Sequence, residues 1–208
     1  MPRARVSLFP LSGVLLLPDM EIPLHIFEPR YRALIQDAMA RDRRIGMIQP
    51  RDAAAKPKLF DMGCLGHISH IEALDDGRFN ILLRGLARFR IVRELDVTTP
   101  FRQVEAEVEQ APSDDPTYQN VLAAVERASL EMESRRFAEA LGYVVDWTAV
   151  SSLDDASLVN GIAQIVPFDP AAKQTLLEAN SLSERADLIV QLMQIFGRLD
   201  GEGGHTMQ

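Results

Sequence analysis

The stretch Gly63-Cys64-Leu65-Gly66-His67-Ile68-Ser69-His70-Ile71-Glu72-Ala73-Leu74-Asp75-Asp76-Gly77-Arg78-Phe79-Asn80-Ile81-Leu82-Leu83 holds two apolar, β-branched runs that meet at Asp75-Asp76-Gly77. A tight turn between paired strands needs a residue that tolerates positive φ, and glycine does so without steric cost. The runs therefore read as the arms of a β-hairpin, Gly63 to Leu74 and Arg78 to Leu83. Working outward, further apolar runs of four to eight residues, bounded by turn formers, predict strands over Val6 to Phe9, Glu21 to Phe27, Arg44 to Gln49, Ala87 to Leu95 and Arg102 to Glu109. One helix interrupts them. Pro29 suits a first helical position, and Tyr31, Leu34, Ile35, Ala38 and Met39 recur at helical spacing, a stripe that should pack on the sheet.

After Gln110 the character of the chain changes. The hydrophilic segment Gln110 to Pro116 reads as a linker, and glycine and proline then become sparse over long stretches. A stripe of Tyr118, Val121, Leu122, Val125, Ala128 and Met132 predicts a helix running towards Leu141, ended by Gly142. Three shorter helices follow: one started by Ser152 with Asp155 and stopped before Pro167, one capped at Asp169-Pro170, and one opened by the Ser181/Glu184 capping-box spacing. In the last, Leu188, Leu192, Ile195, Phe196 and Leu199 should share a side. The expected organisation is a β-rich domain over 1–110, a helical domain over 111–200 and a mobile tail over 201–208.

Charge follows the same division. Residues 1–110 carry 16 Lys and Arg against 15 Asp and Glu, whereas residues 111–208 carry 6 against 15, within a net charge of −8. That acidity argues against a large nucleic-acid surface, which needs a dense field of cations. No run approaches the roughly 18 to 20 apolar residues of a membrane span, and no membrane association is expected. Pro10, Ser12 and Gly13 break up what would be a signal-peptide core, so a cytoplasmic location is expected. Cys64 is the only cysteine and cannot form an internal disulfide.

The segment Leu8-Phe9-Pro10-Leu11-Ser12-Gly13-Val14-Leu15-Leu16-Leu17-Pro18-Asp19-Met20-Glu21-Ile22-Pro23-Leu24 resembles the opening of Lon amino-terminal domains, with two prolines bracketing a turn. His25 to Arg32 looks like the version found in short, stand-alone Lon-domain proteins. Asp42 to Ile48, Phe60 to Ile68 and Asn80 to Ile91 are similar to the family's later segments, and Leu158 to Phe168 and Lys173 to Glu178 match more loosely. The resemblance implies an α+β fold, a PUA-like β pseudo-barrel with one packed helix followed by an α-helical bundle. It also implies a substrate-recognition module without chemistry of its own. On this resemblance the ATPase and Ser/Lys peptidase domains of Lon are expected to be lacking, and no Gly-x-x-x-x-Gly-Lys-Ser/Thr loop occurs in these residues to cradle ATP.

The residues themselves offer little for catalysis. Lys56, Lys58 and Lys173 read as ordinary surface lysines, without the neighbouring serine that a Ser/Lys hydrolase needs. Cys64, His67 and His70 have a zinc-like spacing, but on a regular strand His67 points away from the other two. His25 and Glu28 flank the strand-to-helix corner, where a structural role outweighs acid/base work. Arg84, Arg88 and Arg90 share strand parity and read as a solvated face. No catalytic residue, metal or cofactor is expected.

The expected function is a non-catalytic binding or adaptor module for polypeptide clients or for a protease or chaperone partner. Its candidate site is the apolar corner Leu15, Leu17, Leu24, His25, Phe27 and Tyr31. Whether Val14 to Leu17 is an exposed recognition surface or a core strand stays open at this level. The alternative function is a small-molecule or nucleotide sensor with a pocket between the two halves.

Overall fold

A computed structural model of the chain describes residues 1–110 and 120–203, with side chains described to residue 197. Most of the expected linker and of the helix start at Tyr118 lie outside the described residues, as does the tail beyond Gly203. The chain clusters into two compact units, Met1–Thr117 and Tyr118–Gln208.

The first unit contains β1 (Arg3–Pro10), β2 (Glu21–Ile26), α1 (Pro29–Met39), β3 (Arg44–Ile48), β4 (Met62–Ala73), β5 (Phe79–Glu94) and β6 (Gln103–Val108). The strands lie in the order β2-β5-β4-β3-β1-β6, and β5 pairs a second time with β6, closing five of them into a ring. β1 and β3 are parallel; every other pairing is antiparallel. Such closure leaves few open edges, and β2 is the exception: among the described residues it pairs with β5 alone. Inside the ring, Val6, Leu8, Ile48, Leu65, Phe89, Val104 and Ala106 form the core. The turn at Asp75-Asp76-Gly77 forms as its sequence requires, with Gly77 at φ 77°, the Leu74 amide donating to the Arg78 carbonyl and the Gly77 amide to the Leu74 carbonyl, both at 2.9 Å.

The two segments expected as Arg78 to Leu83 and Ala87 to Leu95 are one 16-residue strand. Continuity depends on Gly85, whose missing Cβ would lie 2.1 Å from the Leu17 carbonyl oxygen. The strand thus passes against the Leu15–Leu17 run instead of breaking.

The second unit contains α2 (Ala124–Ala140), α3 (Trp147–Ser151), α4 (Asp155–Ile165), α5 (Pro170–Glu178) and α6 (Leu182–Gly203). Its caps follow simple chemistry: Asp169 accepts from the Ala172 amide at 2.8 Å, and Ser181 from the Glu184 amide at 3.0 Å. Three expectations are corrected. Asp154, not Ser152, caps α4 by accepting from Ser157 N at 2.9 Å, and α3 was not foreseen. α2 is rotated so that Leu130, Ser134, Phe137 and Ala138 are buried while Val121, Val125 and Met132 face solvent. In α6 the buried stripe is Leu182, Ala186, Ile189 and Met193, and Ile195 is exposed. α6 is described as far as Gly203.

Candidate functional site

The six residues of the expected corner divide. Leu15 and Leu17 are 2% and 0% exposed, and Tyr31 is buried with its ring edge-on to Phe9 at 4.5 Å and its hydroxyl donating to the Pro10 carbonyl. These three are core; Pro18 bridges to Gly85 and brings the Leu15–Leu17 run onto β5, while Tyr31 is held against β1 by Phe9 and Pro10. Burial also raises the Tyr31 phenol above its ordinary pKa. Leu24 is half-buried on the edge strand β2, His25 is exposed, and Phe27 is 60% exposed.

His25 is held in a defined tautomer. Asn80 donates its amide N–H to Glu72 at 2.8 Å, so its oxygen accepts from His25 Nδ1–H at 2.7 Å. The lone pair of His25 Nε2 then faces Arg78 at 3.2 Å, and Arg78 is itself held by Asp76 at 2.6 Å. Phe27 stacks alongside the imidazole at 6.2 Å. Glu28 is engaged with Arg30 at 2.9 Å, and no bond joins it to His25. This arrangement fixes the position of the imidazole on the surface.

The remaining candidates fall elsewhere. Cys64 is buried, His67 half-buried and His70 exposed, and two register shifts in β4 break strict alternation across them. Among the described residues no group of three His, Cys, Asp or Glu side chains is placed to hold a metal ion. Arg84 faces Asp19 at 3.8 Å and Arg88 meets Glu109 at 2.6 Å, while Arg90 is exposed. Lys173 corrects the surface reading: it is buried, its ammonium donates to the Gln164 carbonyl at 3.0 Å, and desolvation pulls its pKa down.

A second candidate site lies wholly within the helical unit. A groove of about 520 Å³ is walled by Phe137 and Ala138 of α2, Trp147 and Val150 of α3, Leu158, Gly161, Ile162 and Ile165 of α4, and Met193 of α6. Tyr143, Val144 and Val145 form its lip, with Tyr143 and Val144 exposed, and Ile165 is 83% exposed. The lining hydroxyls of Ser134 and Ser157 are already engaged, by Met193 Sδ and by Asp154. The Arg135 guanidinium lies 4.6 Å above the Trp147 ring at one wall. None of these residues was singled out from sequence. The available signal was three consecutive apolar residues, Tyr143 to Val145, directly after a helix-ending glycine.

Both units, with the ring and the groove, fall within one family match. Residues 5–194 match the ATP-dependent protease La (LON) substrate-binding domain. The chain belongs to this family. Relatives include the Lon protease of Escherichia coli K12, 28% identical over 197 residues, and Lon protease 2 of Bdellovibrio bacteriovorus, 26% identical over 197 residues. The matches cover 92% and 90% of this chain but 25% and 24% of those proteins, so the chain spans about a quarter of the length of the curated relatives it matches. Two solved structures share the LON-domain fold. The Lon N-terminal domain protein from Xanthomonas campestris has a TM-score of 0.65 at 22% identity, covering 90% of this chain and 98% of its own. The N-terminal domain of Mycobacterium avium complex Lon protease has a TM-score of 0.60 at 18% identity, covering 92% and 98%. The first unit is accordingly a PUA-like pseudo-barrel, and only the substrate-binding part of Lon is matched. Among the described residues no helix is long and apolar enough to cross a membrane.

Proposed function

We propose that this chain is a polypeptide-binding module without proteolytic activity of its own, and that it seats apolar side chains of unfolded clients in the groove of its helical unit. The groove carries the reading, because it is an accessible apolar concavity in a family described as a substrate-binding domain. A small-molecule sensor would need convergent polar groups to orient its ligand, and Ser134 and Ser157 are turned to other partners. Leu24, His25 and Phe27 form a second, smaller contact surface on the open edge of the barrel. A cytoplasmic location and delivery of clients to a separate protease or chaperone belong to the same reading.

The test is capture of a permanently unfolded protein by the full chain and by Gly161→Trp. Gly161 lines the groove and a Cβ there meets nothing within 4 Å, so a side chain at this position enters the groove. Capture should fall at least tenfold in Gly161→Trp, a loss of about 1.4 kcal/mol, and the client should stay intact with ATP and magnesium present. Unchanged capture by the folded variant would remove the groove; ATP-stimulated cleavage that survives repurification would show an enzyme.

A further inference from the structure

We infer that the groove selects apolar segments flanked by basic residues. The inference rests on the groove reading above and names its substrate class. A lining of aliphatic and aromatic side chains discriminates weakly among apolar sequences, so selectivity falls to the charges at the rim.

Two carboxylates adjoin lining residues in the chain. Asp146 lies between the lining residues Val145 and Trp147, and Asp154 follows Leu153; both are exposed. Each is fixed in place by capping a helix. Asp146 accepts from the amides of Thr148 and Ala149 at 3.0 and 3.1 Å, and Asp154 from the amide and hydroxyl of Ser157 at 2.9 and 2.7 Å. Those bonds hold Asp154 below the ordinary carboxylate pKa, so it stays charged at neutral pH. Among the described residues neither carboxylate has an ion-pair partner, whereas nearby Asp155 and Glu131 are both taken by Arg127.

The helix ends that they cap offset about half a charge each, so each carboxylate keeps part of its negative charge. Arg135 is the countercharge at the groove, and its guanidinium is stacked on Trp147. The wider field has the same sign, with 15 acidic residues against 6 basic over 111–208. Two of those six cations, Lys173 and Arg185, are buried and bonded to Gln164, Leu176 and Asn160. An incoming segment therefore meets two fixed carboxylates without ion-pair partners and an acidic field beside an apolar slot, the complement of an apolar stretch with flanking lysine or arginine.

The experiment uses fluorescent peptides with one apolar core and either lysine or glutamate flanks, titrated by anisotropy against the full chain. Wild type should bind the lysine-flanked peptide about fivefold more tightly at low salt, as two exposed pairs allow. The ratio should approach unity near 1 M salt, where screening acts within about 3 Å. An Asp146→Asn/Asp154→Asn variant keeps both caps, because asparagine caps as well as aspartate, and should lose most of the preference without losing thermal stability. Gly161→Trp and Ile165→Asp should weaken both peptides. Equal binding of the two peptides that still falls in Gly161→Trp overturns the charge selection and leaves the groove standing. A preference that survives the double Asn variant overturns the assignment to these carboxylates. Binding indifferent to Gly161→Trp, or no binding of either peptide, removes the groove and this inference together.

Discussion

Leu17 lies against the backbone of Gly85, and Leu15 beside it is equally enclosed, so both act through packing. Replacing Leu17 by Ser should cost roughly 2 to 5 kcal/mol in urea denaturation, the range for large-to-small changes in a core. Client capture per folded molecule should not change. Gly85→Ala is the complementary case: the added methyl would meet a backbone carbonyl, which cannot rotate away, and a loss of about 1 to 3 kcal/mol is expected from the same measurement. Lys173 makes a different prediction because its pKa is lowered by burial. Between its depressed folded value and the ordinary lysine value the unfolded chain binds more protons, so stability rises with pH across that window. Unfolding free energies at about pH 8 and 10 should show this rise in the wild-type chain and a smaller one in Lys173→Met. The identity of these residues was visible in the sequence, but their enclosure was not, because a lysine in a first helical turn has the same local pattern whether buried or solvated.

Helix α2 shows how an element can be found from its period and still be misoriented. Val121, Val125 and Met132 recur at helical spacing, yet the buried face is Leu130, Ser134 and Phe137, because that face meets Met193 and approaches Gly197 of α6 and Phe168. Spacing identifies a helix; the neighbours choose its inward side. The start of α2 is tied to α4 through Asp155, which accepts from the Leu122 amide at 2.8 Å and from Arg127. Those two contacts, the backbone bond foremost, lower the Asp155 pKa. Its contribution is therefore complete above the ordinary aspartate pKa and is lost as pH falls through the lower folded value. Acid titration followed by helical circular dichroism should show Asp155→Asn less stable than wild type at neutral pH, with the difference closing below about pH 4. A gap that persists in acid would mean that the side chain acts by shape and not by charge. In the barrel, the hairpin and α1 were legible because turn chemistry and a helical stripe are local signals. The unbroken β5 was not, since Gly85 reads as a strand breaker until the Leu17 carbonyl is seen against it.

Each of the two units has its own buried core, one around Phe89 and one around Leu130, Leu158 and Leu176. A fragment of residues 1–117 should accordingly unfold cooperatively in urea with a slope of about 1 to 3 kcal/mol per molar, as small single domains do; a gradual, non-cooperative loss of signal would show that the barrel unit depends on the rest of the chain. By itself the sequence determined the β-rich half with its DDG hairpin, the packed helix α1, the helical character of the second half, its acidity and the likeness to Lon amino-terminal domains. All of these are carried by composition, by local periodicity or by motifs of adjacent residues. Only the tertiary structure decided that β5 closes the ring, that Leu15, Leu17 and Tyr31 are core while Phe27 is exposed, and that a groove exists. The groove is assembled from Phe137, Trp147, Ile162 and Met193, which lie on four different helices. Apolar residues on each helix look alike in sequence whether they meet one another or line a space between them, and that difference is set by how the helices pack.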